Sequence, residues 1–542
     1  MVHSKVRVRK IWMVSREYGD IAGAGGVKDM VRQLSEQLAV WSGRSVHVVL
    51  PLYGFLDIES LSFSPVMDPL WPGKTLDLTI QMNEPGKTIN ERVRFYHARQ
   101  NRVNLYLVDS QRFRNKLDVY TYTSAEERDA WWQKQGSGHY DYFAMNLLLQ
   151  KATLELCIAL GEQVDLFHCH DGHTGLLPAL IHDCPGYRSY FRTTGCLTTV
   201  HNAGRGYHQE IEDIPYAQAT TGFSDDVIAG CLLESRFDPF LVAGRYGRLN
   251  TVSENYAREL QETEEDERTG WLGHELKTRG VSLVGITNGI DPNLFQVKDL
   301  PDIQADEVFS PDSPDTELVG KRLLKKRLLA ELNDSELFSG VTRFGSLGSD
   351  ESLPLFTCIG RFSEQKGVDI LIEGLLQIRK SHPEARSMIL GSGSPELELR
   401  LRELVTHGEL ASRCCFLRGF NPQLANRVFA AGDFFVIPSR YEPCGLTDFI
   451  AQLFGNIPVV HHVGGLVKVV DGKTGIAYRG DVYQLVEALE RALTLYSDLE
   501  EKRQIQRQAI QHIRSKYTWK TVMKQYLELY TKARSDRFIM EE

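Results

Sequence analysis

A chain of 542 residues is too long for one ordinary hydrophobic core, so two or more domains are expected. Hydrophobic residues at 42% and charged residues at 25% are usual for a globular protein, and a net charge of −9 argues against a nucleic-acid or anionic-membrane partner, leaving room only for a local basic pocket that takes phosphate. Nine cysteines with no CxxC spacing, the nearest pair being the adjacent Cys414-Cys415, offer neither a disulfide framework nor a structural zinc site and read as reduced, mostly buried thiols.

Met1-Val2-His3 runs at once into an apolar strand, Ile11 to Val14, which is too short for a signal-peptide core. No stretch approaches the length of a membrane-spanning helix, so a soluble, cytoplasmic protein is expected. Strands are predicted at Lys5–Val14, Ser45–Leu50, Asn104–Val108, Asp165–His170, Leu197–His201 and Leu249–Ser253. After a gap they resume at Leu355–Arg361, Arg386–Leu390, Cys414–Arg418, Asp433–Pro438 and Ile457–Val460. These runs are apolar on both faces, as parallel strands covered by helices are. Amphipathic helices lie between them, for example Val27, Met30, Val31, Leu34 and Leu38 along one face. The alternation predicts an α/β chain of two doubly wound, Rossmann-like domains that bind a ligand in a cleft beyond the carboxyl ends of their strands.

From Pro301 to Pro354 the rhythm breaks. An acidic stretch (Asp302–Asp315), a basic helix (Lys321–Leu332) and a Gly/Ser loop (Ser339–Ser352) read as an interdomain region whose loop is a solvated insertion. The division expected is 1–300, 301–516 and 517–542. Three helical patterns close the chain, Val482–Tyr496, Leu499–Tyr517 and Trp519–Ala533.

The motifs fall at strand ends. Gly25-Gly26 stands between the first strand and the first helix, where adjacent glycines let backbone amides approach an anion; a tight turn is the plainer reading. His168-Cys169-His170-Asp171-Gly172-His173 follows a strand and has three readings: a metal site, a pocket in which His170 and Asp171 face a sugar, or a polar strand end. His201-Asn202 and Asn288-Gly289 end two further strands and, alone, signal only turns. In the second half, Arg361 and Lys366 at a strand–helix junction suit a diphosphate. In Arg440-Tyr441-Glu442-Pro443-Cys444-Gly445-Leu446-Thr447, Glu442 stands beside a helix start near Gly445 whose free amides favour an anion. Gly464-Gly465 repeats the strand–glycine–helix device. Trp131-Trp132 suggests a sugar-stacking platform, although such pairs more often anchor a loop or fill a core.

Taken together, the sequence resembles the bacterial glycogen synthase and plant starch synthase family, of glycosyltransferase-B fold. The match carries Gly25-Gly26, His168–Asp171 with Thr174-Gly175-Leu176, His201-Asn202, Thr251-Val252-Ser253 and Asn288–Asp291. It continues through Arg361 with Gln365-Lys366-Gly367, Glu442–Thr447, Gly464-Gly465-Leu466 and the closing Tyr517-Thr518-Trp519. The resemblance implies retaining transfer of glucose from ADP-glucose to the 4-hydroxyl of an α-1,4-glucan end, with no metal and no cofactor beyond the nucleotide sugar. It implies that Arg361 and Lys366 hold the diphosphate and that Gly445–Thr447 supplies amides to it. Glu442 orients the donor glucose, and His170 and Asn288 lie near the reacting carbon. By the same resemblance Gly25, Gly26, Asp171, His201, Asn202, Cys444, Gly445, Leu446, Thr447, Gly464 and Gly465 are expected to line the substrates. The resemblance also implies that the last helix crosses back to the first domain.

Three departures stand out. Gly23-Ala24 replaces the Lys-Thr usual before the first Gly-Gly, His461-His462 stands where two arginines are frequent, and Asp141 is the nearest carboxylate to an absent Asp-Asn pair. The first of these keeps UDP-glucose open as the donor and a catalytically silent glucan-binding homologue as an alternative. A glucan phosphorylase could share the fold but would need a pyridoxal phosphate lysine, for which there is no signature.

Overall fold

The computed structural model describes residues 7–41, 43–314, 317–332 and 339–539; Met1-Val2-His3, Lys5, Val6 and Asp315 of the sequence reading lie outside them. The chain divides into two compact units, Met1–Gly289 with Trp519–Glu542, and Ile290–Thr518. The first boundary falls ahead of the expected 300/301, so the segment after Pro301 is part of the second unit and not a linker. Packing explains this. Leu324, Leu328 and Leu329 of the Val319–Glu331 helix are at most 1% exposed. Lys325 Nζ reaches Asp433 at 2.6 Å. The supposed solvated loop contains a strand, Val341–Gly345, antiparallel to Cys414–Gly419, with Phe344 stacked 5.8 Å from Phe416. One aromatic in a Gly/Ser context gave too short an alternation to read.

In the first unit seven strands run parallel, in the order Leu283–Gly285, Arg248–Thr251, Gly195–Val200, Leu166–His170, Lys10–Val14, Ser45–Pro51 and Val103–Asp109. An antiparallel flap continues the sheet through Asn90–Gln100, with Asp77–Gln81 and Ser64–Pro65 paired to it. Its strands are half solvated and polar on one face, unlike the doubly apolar runs that mark the parallel strands. The second unit's sheet runs Val341–Gly345, Cys414–Gly419, Arg386–Gly391, Leu355–Ile359, Phe434–Ile437, Ile457–His461 and Ile476–Tyr478, parallel after the first strand.

Strand order reverses once in each sheet. In the first, the chain moves outward from Lys10–Val14 on one side and returns to its other side at Leu166–His170. In the second, the reversal separates Leu355–Ile359 from Phe434–Ile437. The helices that follow these neighbours diverge to opposite faces and leave a crevice beyond the strand ends, where open α/β sheets bind ligands.

The Trp519–Ile539 helix belongs to the first unit. Trp519 Nε1 donates to Gln33 Oε1 at 2.7 Å on the Gly26–Trp41 helix. Gly195 and Gly289 are glycines of necessity here: a Cβ on either would stand 2.6 Å from Arg534 or the Trp519 ring. No helix among the described residues is long and apolar enough to cross a membrane.

Candidate active site

At the first crevice the Leu166–His170 strand delivers two buried histidines. Thr199 Oγ1 donates to Asn250 Oδ1 at 2.7 Å, so its lone pair accepts from His168 Nε2–H at 2.7 Å. Tyr530 OH in turn donates to His168 Nδ1 at 2.9 Å. This fixes one neutral tautomer, and burial holds His168 down at about 3. His170 lies 4.2 Å from the His168 ring centroid and shares a 3.1 Å hydrogen bond between its Nδ1 and His201 Nε2. Burial also holds both rings neutral, His201 at about 3. His170 Nε2 is buried with no partner among the described residues, a polar atom left for a ligand.

Asp171 has a structural task inside the protein. Its Oδ1 accepts the backbone N–H of His201 at 2.7 Å and of Asn202 at 3.4 Å, so it organises the neighbouring loop. It does so with φ 57° and ψ −177°, a region almost confined to glycine and costing about 1–3 kcal/mol, a strain typical of functional sites. Burial, only partly offset by the two amides, raises its pKa to about 8. Gly172 has no room for a side chain, since a Cβ would stand 2.1 Å from His208 O. His208 anchors that loop: Nδ1 pairs with Asp238 at 2.7 Å and Nε2 donates to Ala203 O at 2.8 Å. Despite the opposing cost of burial, Asp238 pushes His208 up to about 9. Asn288 is also buried in this unit, its Oδ1 without a partner among the described residues.

Two residues missed in the sequence stand next to Gly25-Gly26. Glu17 is 2% exposed, and its Oε2 accepts the N–H of Ala24 at 2.9 Å and of Gly25 at 3.2 Å, while Tyr120 OH donates to Oε1. Arg16 is buried beside it, bonded to Tyr53 OH, Asn146 and Val119 O. The Gly25 amide is therefore already committed to a carboxylate, contrary to its expected availability. The signal available was the charged pair Arg16-Glu17 at the end of an apolar strand. Gly23 has a reason as well: a Cβ there would stand 2.6 Å from Lys28 Cβ and 2.8 Å from Glu17 Oε2. The Lys28 stem thus lies in the space that a side chain at position 23 would take, and its ammonium has no partner among the described residues.

Trp131 and Trp132 divide between the two readings given to them. Trp132 meets Tyr122 and Tyr140 edge-on at 5.9 and 5.8 Å, whereas Trp131 is 79% exposed. Asp141 pairs with Arg112 and Lys116. The three histidines of His168–His173 are bonded or packed within the protein, and no group of three His, Cys, Asp or Glu among the described residues is arranged to hold a metal ion.

At the second crevice Lys366 Nζ reaches Glu442 Oε2 at 2.6 Å, and Ser439 Oγ donates to the same oxygen at 3.0 Å. Glu442 is 8% exposed and its Oε1 has no partner among the described residues. The turn is tied down from both sides: Gln365 Nε2 donates to Tyr441 O at 3.1 Å, and Arg440 N–H to Gln365 O at 2.9 Å. Arg440 itself grips Asp369, at 2.8 Å by Nη1 and 2.5 Å by Nη2. Arg361 is exposed at the strand end. The helix after the motif starts at Thr447 rather than near Gly445, with Gly445 at φ 70°. Gly464 and Gly465 pack directly on this turn, their hypothetical Cβ atoms 2.0 Å from Glu442 O and 2.1 Å from Cys444 O. Of the two histidines in place of arginines, His461 Nδ1 donates to Ser439 O at 2.9 Å and His462 accepts from Arg479.

The structure therefore gathers the expected residues into two clusters. His170, Asp171, His201, Asn202 and Gly25-Gly26 stand in the first unit, and Arg361, Lys366, Glu442, Cys444–Thr447 and Gly464-Gly465 in the second. Comparison with known proteins gives the same division. Residues 10–276 match the model of the starch synthase catalytic domain, and residues 353–495 that of glycosyl transferases group 1. Glycogen synthase of Leptospira biflexa is 30% identical over 508 residues, covering 90% of this chain and 92% of that protein. Glycogen synthase of Geotalea daltonii is 27% identical over 96% of this chain and 98% of that one. Among solved structures, the catalytic domain of Arabidopsis thaliana starch synthase IV bound to ADP and acarbose has a TM-score of 0.75 at 23% identity, covering 98% of this chain and 100% of that one. Sucrose-phosphate synthase of Thermosynechococcus elongatus scores 0.56 at 18% identity, with 97% and 100% covered.

Proposed function

The chain belongs to the glycogen synthase and starch synthase family of glycosyltransferases, and from that premise we propose that it extends an α-1,4-glucan with glucose from ADP-glucose, with retention, in the cytoplasm. The observation that carries the reading is the Lys366–Glu442 pair, held at a strand-order reversal with one carboxylate oxygen still open. As the bond between the anomeric carbon and the diphosphate oxygen breaks, negative charge grows on the leaving group. Lys366 and Arg361 are the cations that stabilise it, and the N–H groups of the Gly445–Thr447 turn add dipoles of the right sign. These groups take the part a metal ion plays elsewhere, so no metal or further cofactor is called for. Glu442 Oε1 accepts from donor-sugar hydroxyls. His170, neutral and with Nε2 open among the described residues, offers a sugar hydroxyl a hydrogen bond without adding charge, and Asn288 Oδ1 is a second acceptor in the first unit. The glucan 4-hydroxyl then attacks from the face the diphosphate leaves.

ADP as the carrier rests on family resemblance and on a cation near the altered loop; we assign that cation to Lys28. The decisive assay incubates the protein with glycogen and either ADP-glucose or UDP-glucose and follows nucleoside diphosphate release and glucan growth. Transfer from ADP-glucose at the higher kcat/KM is expected. Folded protein that transfers from neither donor would overturn the reading and leave a silent glucan-binding protein.

A further inference from the structure

Lys468 is a single cation in an otherwise apolar run, Leu466 to Val470, and it is 7% exposed. Burying an ammonium is costly unless every proton finds an acceptor. Here each does: Nζ donates to the carbonyl oxygens of Cys444 at 2.5 Å, Gly445 at 2.6 Å and Gly465 at 3.1 Å. Asp448, wholly buried, gives the balancing charge at 3.0 Å, and the Phe449 ring closes the pocket at 4.6 Å. The ammonium thus sits where the Glu442–Thr447 turn and the Gly464-Gly465 turn meet. Gly465 N–H donates to Glu442 O at 2.9 Å across the same junction.

Peptide planarity turns this into a statement about ligand binding. In a trans peptide the C=O and the following N–H point in opposite directions. Drawing the Cys444 and Gly445 carbonyls in toward Lys468 aims the N–H groups of Gly445 and Leu446 outward. Neither N–H donates a hydrogen bond among the described residues. A crankshaft flip of either peptide would cost a charge-assisted hydrogen bond inside a buried pocket.

We propose that Lys468, neutralised by Asp448, is a positioning residue that locks the Cys444–Leu446 peptides with their N–H groups turned toward the donor's diphosphate. This rests on the reading of that turn as the diphosphate site. Lys468 touches no substrate; it acts through the backbone.

The test separates positioning from mere charge balance. Lys468→Met should raise the ADP dissociation constant and the donor KM about tenfold, the worth of roughly one hydrogen bond to a charged ligand, and leave the glucan KM within about twofold. It also strands a buried carboxylate, so the double variant Lys468→Met with Asp448→Leu is made alongside. The double variant should recover the wild-type thermal midpoint while its ADP affinity stays as weak as that of the single variant. Wild-type ADP affinity in the double variant would overturn the proposal, because Lys468 would then serve only to neutralise Asp448. Wild-type protein that binds neither ADP nor UDP would overturn the diphosphate reading itself, an outcome distinct from the first.

Discussion

The two clusters solve opposite problems with opposite means. Around His170 the protein buries three imidazoles, holds them neutral and bonds them to hydroxyls and to one another, leaving His170 Nε2 open among the described residues. Around Glu442 it works with full charges: Lys366 on Glu442, Arg440 on Asp369, Lys468 on Asp448, and Arg361 exposed. The first arrangement suits sugar hydroxyls, which want directed neutral hydrogen bonds. The second suits a diphosphate, whose charge grows as the glycosidic bond breaks. On the proposed reading the first cluster chiefly serves the sugar and the second the leaving group, and each half can be attacked alone.

The largest effect belongs to the charged half. Lys366→Ala should lower kcat about 10²–10³-fold, as removal of a single group that stabilises developing charge usually does. Because the same substitution leaves Glu442 Oε2 with Ser439 alone, Glu442→Gln is the partner experiment, with a comparable loss expected from the mispositioned donor glucose. Raising ionic strength should raise the donor KM and leave the glucan KM nearly flat. Near wild-type turnover in Lys366→Ala, or equal salt sensitivity of both substrates, would break the comparison.

In the neutral half, His170→Ala should cost on the order of 10²-fold in kcat with little salt dependence, the loss expected for one positioned polar group. The pH dependence sharpens the contrast. His168 and His201 titrate at about 3, and His170 lies well below its ordinary value, so none of the three contributes an inflection between pH 5 and 8. Asp171, raised by burial to about 8, does contribute one. Its ionisation charges the group that orders the His201-Asn202 backbone. An alkaline inflection in kcat/KM that disappears in Asp171→Asn is expected; one that persists would assign it elsewhere.

The His208–Asp238 pair beneath that loop gives a stability signature. A folded pKa of about 9 against an ordinary 6.5 means that the pair's contribution is complete below pH 6.5 and is lost as pH rises through about 9. The contribution is on the order of 3 kcal/mol, from the conversion of about 1.4 kcal/mol per pKa unit for a buried group. Urea unfolding at pH 6 and pH 9.5 should show this loss in wild-type protein and a much smaller one in His208→Gln. Equal slopes would remove the pair from the account.

What could be read in the sequence follows from which signals are local. Doubly apolar strand runs, Gly-Gly junctions and the Glu442–Thr447 string are short-range patterns, and they locate both sheets and both clusters. The roles of Asp171, Glu17, His208 and Lys468 depend on partners up to 103 positions away, in contacts that no spacing encodes: Asp171 on the His201 amide, Glu17 on Tyr120, Lys468 on three carbonyls. Lys468 in an apolar run and Arg16-Glu17 at a strand end were visible only as misplaced charges. The half-solvated flap was missed for the opposite reason, since its polar face looks like loop.

The smallest effect tests the loop that departs from the family. Gly23 leaves space that the Lys28 stem occupies, and if the Lys28 ammonium reaches the donor, Lys28→Ala should raise the donor KM about fivefold, near 1 kcal/mol for one half-exposed cation, with kcat little changed. Gly23→Ala should do the same without removing any charge, because its Cβ would overlap the Lys28 stem at 2.6 Å and displace it. Agreement between the two variants would show that position 23 acts through position 28. A raised KM in Lys28→Ala alone would leave the cation and discard the glycine. No change in either would place donor affinity wholly in the Lys366–Glu442 half, and the division of labour would then be stricter than the one drawn above.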